Sequence, residues 1–183
     1  MRRINSIITI LIIGLFVYHL IYGGMILAGM IKGGGAVSGF ISRLLLVLIA
    51  VHVCIAVILT VSAIRAISRS GVFYARQNMF FILRRISGFA LMIFIVVHVL
   101  LFSGDYSQGA YRLKPFGTLD LIGQILMIIS LLVHVATNIR PLMISLGISD
   151  RSNVKTDVLL VMSGLLVLAG IAFAVYYLRW LKI

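Results

Sequence analysis

Long uncharged runs alternate along this chain with short segments that carry nearly all of its charge. The runs extend from Ile4 to Ile31, Leu44 to Ile64, Ile86 to Gly104, Leu121 to Ile139 and Val158 to Leu178. An α-helix rises about 1.5 Å per residue, so roughly 18 to 20 apolar residues cross about 30 Å of hydrocarbon, and each run is long enough. The pattern predicts an all-α integral membrane protein, one domain over residues 1–183, with five transmembrane helices at about 4–31, 40–67, 80–103, 118–146 and 157–181. Arg2 and Arg3 precede the first run as in a signal peptide. That run is too long for a signal-peptide core and has no small-residue cleavage site, so it is expected to stay in the mature protein.

Composition agrees with this solvent. Hydrophobic residues make up 62% of the chain and charged ones 11%, against roughly a quarter charged in a soluble domain, and mean hydropathy is +1.21. A formal charge of +12 in a soluble protein would suggest nucleic acid. Here the bases flank apolar runs, which points to the lipid bilayer and to no nucleic-acid partner. With the N-terminus cytoplasmic, the inner side carries Arg2, Arg3, Arg65, Arg69, Arg76, Arg84, Arg85, Arg140, Arg151 and Lys155, against Lys32, Arg43, Arg112, Lys114, Arg179 and Lys182 outside. The excess of inner bases predicts a multi-pass protein of the cytoplasmic (inner) membrane with its N-terminus in and C-terminus out. The connecting segments 32–39, 68–79, 103–117 and 147–156 are too short for a flavin domain, so water-soluble chemistry would belong to a partner. Cys54 is the one cysteine, which excludes a disulfide or an iron–sulfur cluster held within the chain.

All four histidines fall inside apolar runs, each in a different one: His19, His52, His98 and His134 in the first four. Ionisable groups at membrane depth are costly and mark function by default. One neutral imidazole can serve as packing glue, worth about 0.6 kcal/mol; four, one per helix, point to a metal cofactor. Zinc or copper would want three or four converging ligands, often with a carboxylate or thiolate, and no carboxylate lies at depth. Haem iron takes two axial ligands from opposite faces, so four histidines make two bis-histidine b haems. In an up-down bundle the diagonals pair His19 with His98 and His52 with His134. Depths counted from the inner ends of the runs are about 22, 18 and 18 Å for His19, His52 and His98, and about 8 Å for His134, or about 18 Å if the fourth helix continues past Pro141. On this count the two layers barely separate, and the pairing rests on topology.

The third helix begins Arg84-Arg85-Ile86-Ser87-Gly88-Phe89, and the fourth carries His134-Val135-Ala136-Thr137-Asn138-Ile139-Arg140. These resemble the R-x-S-G and H-x3-G-x-R signatures of the membrane anchors of succinate dehydrogenases and fumarate reductases. Five helices with one histidine on each of the first four resemble the single-chain, dihaem cytochrome b type of that superfamily. The resemblance implies electron transfer between an iron–sulfur subunit, bound with a flavoprotein subunit on the cytoplasmic side, and menaquinone. It implies that His52 and His134 hold the haem nearer the cytoplasm and His19 and His98 the distal one, with a quinone site beside the latter. The chain departs from the family in having Asn138 at the glycine, Pro141 at a basic position, and Leu132 where some relatives carry a proton-relaying glutamate.

Further candidates follow. Asp105 beside Tyr106 is the nearest outer proton partner for quinone chemistry, and Arg84, Arg85 and Arg140 are the bases expected to meet haem propionates or a partner surface. Two alternatives remain open from the residues: a cytochrome b anchor of another quinone-linked complex, of the hydrogenase or formate dehydrogenase type, and a transporter whose histidines relay protons. The absence of acids at depth and of paired broken helices argues against the transporter.

Overall fold

A computed structural model describes residues 1–70, 78–107, 110–112, 115–148 and 152–181. Arg76, Lys114, Arg151 and Lys182, which enter the charge count above, lie outside the described residues, as do the side chains of Arg2, Asp105, Tyr106 and Arg112. The chain forms five long helices, α1 (Arg2–Leu27), α2 (Ala36–Ser70), α3 (Met79–Phe102), α4 (Thr118–Ser145) and α5 (Ser152–Trp180), all long and apolar enough to cross a membrane. Between α3 and α4 a short antiparallel pair, β1 (Asp105–Ser107) and β2 (Ala110–Arg112), sets Asp105 opposite Arg112. This hairpin was not anticipated, since an all-α chain offers no alternating apolar run to signal it.

Helix ends are set by backbone chemistry more than by the first charge. At the end of α1, Gly29 adopts φ +77°, its N–H bonds Ile26 O, and Met30 N–H bonds Met25 O. The end of α4 repeats this closure, with Gly147 at φ +76°, its N–H on Ile144 O and Ile148 N–H on Met143 O. Both are left-handed glycine caps that satisfy the last carbonyls. α1 therefore stops at Leu27, short of the expected 31, while α2 runs past Arg43 and Arg65 to both sides of its apolar run. At the start of α4, the Asp120 carboxylate accepts the Gly117 N–H at 2.8 Å, an acid where the helix dipole favours one. Pro141 does not stop α4, which continues to Ser145.

The outside of the bundle is apolar: Leu160, Phe80 and Phe89 are among many large side chains left exposed, while Ser6, Ser87, Gln124 and Thr137 are buried. That is the distribution expected where lipid is the solvent. α1 packs on α2, α4 and α5, and α4 on α3 and α5. Among the described residues the backbones of α1 and α3, of α2 and α4, and of α2 and α3 make no close approach. Anything joining the diagonals must do so through side chains or a ligand. At the end where α1 finishes, Leu27, Phe116, Phe173 and Tyr176 form a buried cluster, and Thr118 Oγ1 and Tyr177 Oη share a hydrogen bond of 2.9 Å between α4 and α5. At the opposite end Ser6 and Ser145 bond through their hydroxyls, tying α1 to α4.

Arg179 of α5 donates from Nη1 to Leu27 O at 2.8 Å, covering the end of α1. A Cβ on Gly29 would lie 2.5 to 2.9 Å from that guanidinium, whereas one on Gly147 would meet nothing within 4 Å. Each glycine-to-alanine change forces a left-handed L-residue, costing about 1–2 kcal/mol. Gly29→Ala, which also displaces Arg179, is expected to lower the Tm in detergent by more than Gly147→Ala does. Equal losses would show that the arginine adds nothing.

Candidate functional site

The four histidines stand at two levels. Measured from the end where α1 finishes, His19 is eight residues and His98 four residues inside their helices, about 12 and 6 Å. His52 and His134 are each sixteen residues in, about 24 Å. The layers therefore separate clearly. The tethers agree: His52 lies beside Thr9, ten residues from His19, and His134 beside Ser87, eleven residues from His98.

The structure brings one diagonal pair together ring to ring. The His19 and His98 rings, on α1 and α3, have centroids 6.0 Å apart and planes at 72°. Two imidazoles ligating one metal from opposite sides, each at about 2 Å, have centroids roughly 6 Å apart, so this spacing admits a single ion between them. His52 and His134 stand at one level of α2 and α4, each sixteen residues from the start of its helix. Among the described residues no three His, Cys, Asp or Glu side chains converge as a metal-ion cage would require. The arrangement is pairwise.

Each ring is held at Nδ1 by a side chain of the helix beside it. His19 Nδ1 meets Ser42 Oγ of α2 at 3.1 Å, and His52 Nδ1 meets Thr9 Oγ1 of α1 at 3.4 Å. His98 Nδ1 meets Gln124 Oε1 of α4 at 2.8 Å, and His134 Nδ1 meets Ser87 Oγ of α3 at 3.3 Å. The exchange is reciprocal within the α1/α2 pair and within the α3/α4 pair. All four contacts use Nδ1, so Nε2 is the nitrogen left to a ligand, and a metal-bound histidine ordinarily has its other nitrogen tied in this way.

A spacing in the sequence produces this exchange. Thr9 precedes His19 by ten residues, Ser42 precedes His52 by ten, Gln124 precedes His134 by ten, and Ser87 precedes His98 by eleven. Ten residues rise about 15 Å, which is the separation of the two layers, and at about 100° per residue they turn the side chain about 80° from the histidine's own direction. The partners at ten residues thus stand about a quarter turn from the histidine of their own helix, whereas Ser87, at eleven, turns only about 20° from His98. Thr9, Ser42 and Gln124 escape a reading by residue type alone; the ten-residue offset from each histidine is the signal that could have found them.

The segment Arg84-Arg85-Ile86-Ser87-Gly88 acquires a physical account here. Ser87 is buried and holds His134, and a Cβ on Gly88 would stand 3.3 Å from His134 Cε1 and 3.4 Å from Nδ1. Glycine gives the ring its clearance. One turn earlier, the Arg85 guanidinium lies over the Phe81 ring, 5.0 Å from its centroid. The Nε atoms of Arg84 and Arg85 are both buried without a hydrogen-bond partner. Buried guanidinium N–H groups are rarely left unpaired, and an anionic group beside the His52/His134 level would satisfy them. Arg140 is exposed. The backbones of Asp105 and Tyr106 form β1, and their side chains lie outside the described part of the structure.

These features fit haem. The His19/His98 spacing admits one metal between two imidazoles, each of the four rings is tethered at Nδ1, and the unpaired arginine nitrogens suit propionate carboxylates. On the other side of His98 stands an aromatic wall that residue-by-residue reading missed. Phe102 and Phe173 lie 4.9 and 6.2 Å from the His98 ring, and contacts continue through Tyr176 to Trp180.

Gly88→Val is expected to push the His134 ring off Ser87 and to halve the cofactor bound per chain, with the His19/His98 level retained. Gly14→Val, where a Cβ meets nothing within 4 Å, should leave both. Cofactor content of the two purified variants measures this, and equal content would contradict the assigned clearance. No protein-family model, curated protein or solved structure matches the chain.

Proposed function

We propose that this multi-pass membrane protein is a dihaem b cytochrome whose first four helices form the haem-binding bundle, and that it carries electrons between a membrane-peripheral redox partner and a quinone. The observation that carries the reading is the ring-to-ring approach of His19 and His98 across one diagonal, together with four imidazoles each tethered at Nδ1 by a neighbouring helix. Haem supplies reversible one-electron transfer at each level.

The chain's own residues do the rest. His19 with His98, and His52 with His134, would hold the two haems through Nε2, and haem so held would serve electron transfer. Gln124 Oε1 keeps the proton of His98 on Nδ1, and Thr9, Ser42 and Ser87 hold the other three rings at that nitrogen. Arg84 and Arg85 hold an anionic edge at the His52/His134 level through charge-assisted bonds. The levels lie about 15 Å apart along the bundle.

The Arg-x-Ser-Gly segment now supports the likeness to succinate dehydrogenase and fumarate reductase anchors, because Ser87 and Gly88 both serve His134. On that reading the second level faces the cytoplasm and receives electrons from an iron–sulfur subunit that binds with a flavoprotein subunit, and menaquinone reacts beyond the first level. Copurification identifies these partners.

Alanine substitutions test the reading. His19→Ala and His98→Ala should abolish or perturb one haem component in a redox titration, and His52→Ala and His134→Ala the other. Loss of the same component from His19 and His52 variants would refute the diagonal pairing.

A further inference from the structure

We propose that Gln124 is a positioning residue for His98, which sets the redox potential of the iron held by His19 and His98; this rests on the dihaem reading above. Gln124 is the most deeply buried side chain among the described residues, 1% exposed. A primary amide at membrane depth is costly unless bonded, and its Oε1 stands 2.8 Å from His98 Nδ1. The other three tethers are hydroxyls at 3.1, 3.3 and 3.4 Å.

The difference in kind matters as much as the difference in length. A hydroxyl can donate or accept, so it tolerates either tautomer of the ring it touches. An amide oxygen only accepts, so Nδ1 of His98 carries the proton and donates it, and Nε2 keeps its lone pair. The tautomer of His98 is thus dictated by the chemistry of its partner, through the shortest of the four ring contacts. The ring is also boxed in by Phe102, Phe173 and the His19 ring, which leaves it little freedom to turn away from Gln124.

A strong acceptor on Nδ1–H draws the proton outward and raises the basicity of Nε2. A more basic ligand favours ferric over ferrous iron, and the potential falls. Removing the acceptor reverses this. Because Gln124 serves the His19/His98 level and its own helix's histidine, ten residues on, serves the other, the effect is confined to one of two centres in the same chain.

The experiment is a spectroscopic redox titration of the purified, haem-loaded protein with Gln124→Leu and Gln124→Glu. In Gln124→Leu the component lost in His98→Ala should move to a higher midpoint, by about tenfold in ferric-over-ferrous preference, or about 59 mV for one electron. The second component should not move. Gln124→Glu keeps an oxygen acceptor, so its midpoint should stay or fall. Unmoved midpoints in Gln124→Leu, equal movement of both components, or a rise in Gln124→Glu matching that in Gln124→Leu would overturn the proposal. If Gln124→Leu loses that haem, Gln124→Glu decides: retention at an unchanged or lower midpoint supports it, and loss there too refutes it. Wild-type protein without haem would remove the dihaem reading itself, an outcome distinct from two bound haems that ignore Gln124.

Discussion

A polar group inside a hydrocarbon-solvated bundle has no water to bond, so its partners must come from the protein or from a ligand. The four imidazoles of this chain meet that constraint at one nitrogen each, through Ser42, Thr9, Gln124 and Ser87. Much of the bundle's form follows. Each tether crosses between adjacent helices, so α1 with α2 and α3 with α4 behave as pairs, and these are among the pairs that pack closely. Across the diagonals the backbones stand apart among the described residues.

The other unmet need is at Arg84 and Arg85, whose buried Nε atoms have no acceptor. Cationic donors without acceptors beside one histidine pair, and rings spaced for one ion at the other, are separate observations that a pair of bis-histidine haems would answer together. α5 carries no histidine; it buttresses the His98 end through Phe173 and closes α1 through Arg179.

Five membrane helices were legible because in so apolar a chain charge spacing alone divides the spans. Their ends were less so. Arg43 and Arg65 lie inside α2, since a long basic side chain can extend from the helix towards polar surroundings, whereas α1 is closed early by Gly29. The same error distorted the depths: counting from Arg140 placed His134 too shallow, because α4 continues through Pro141 to Ser145. The histidines themselves were conspicuous by chemistry. Their tethers were not, because Ser, Thr and Gln are ordinary residues until a neighbouring helix places an imidazole beside them. Arg140 shows the reverse, a residue that motif likeness singled out and the fold leaves exposed.

The most direct test of two bis-histidine centres is an anomalous scattering map at the iron edge from crystals of the purified protein. The account predicts two iron peaks per chain, about 15 Å apart along the bundle, one between His19 and His98 and the other between His52 and His134. No iron, or a single iron peak ligated by histidines from both levels, would contradict it.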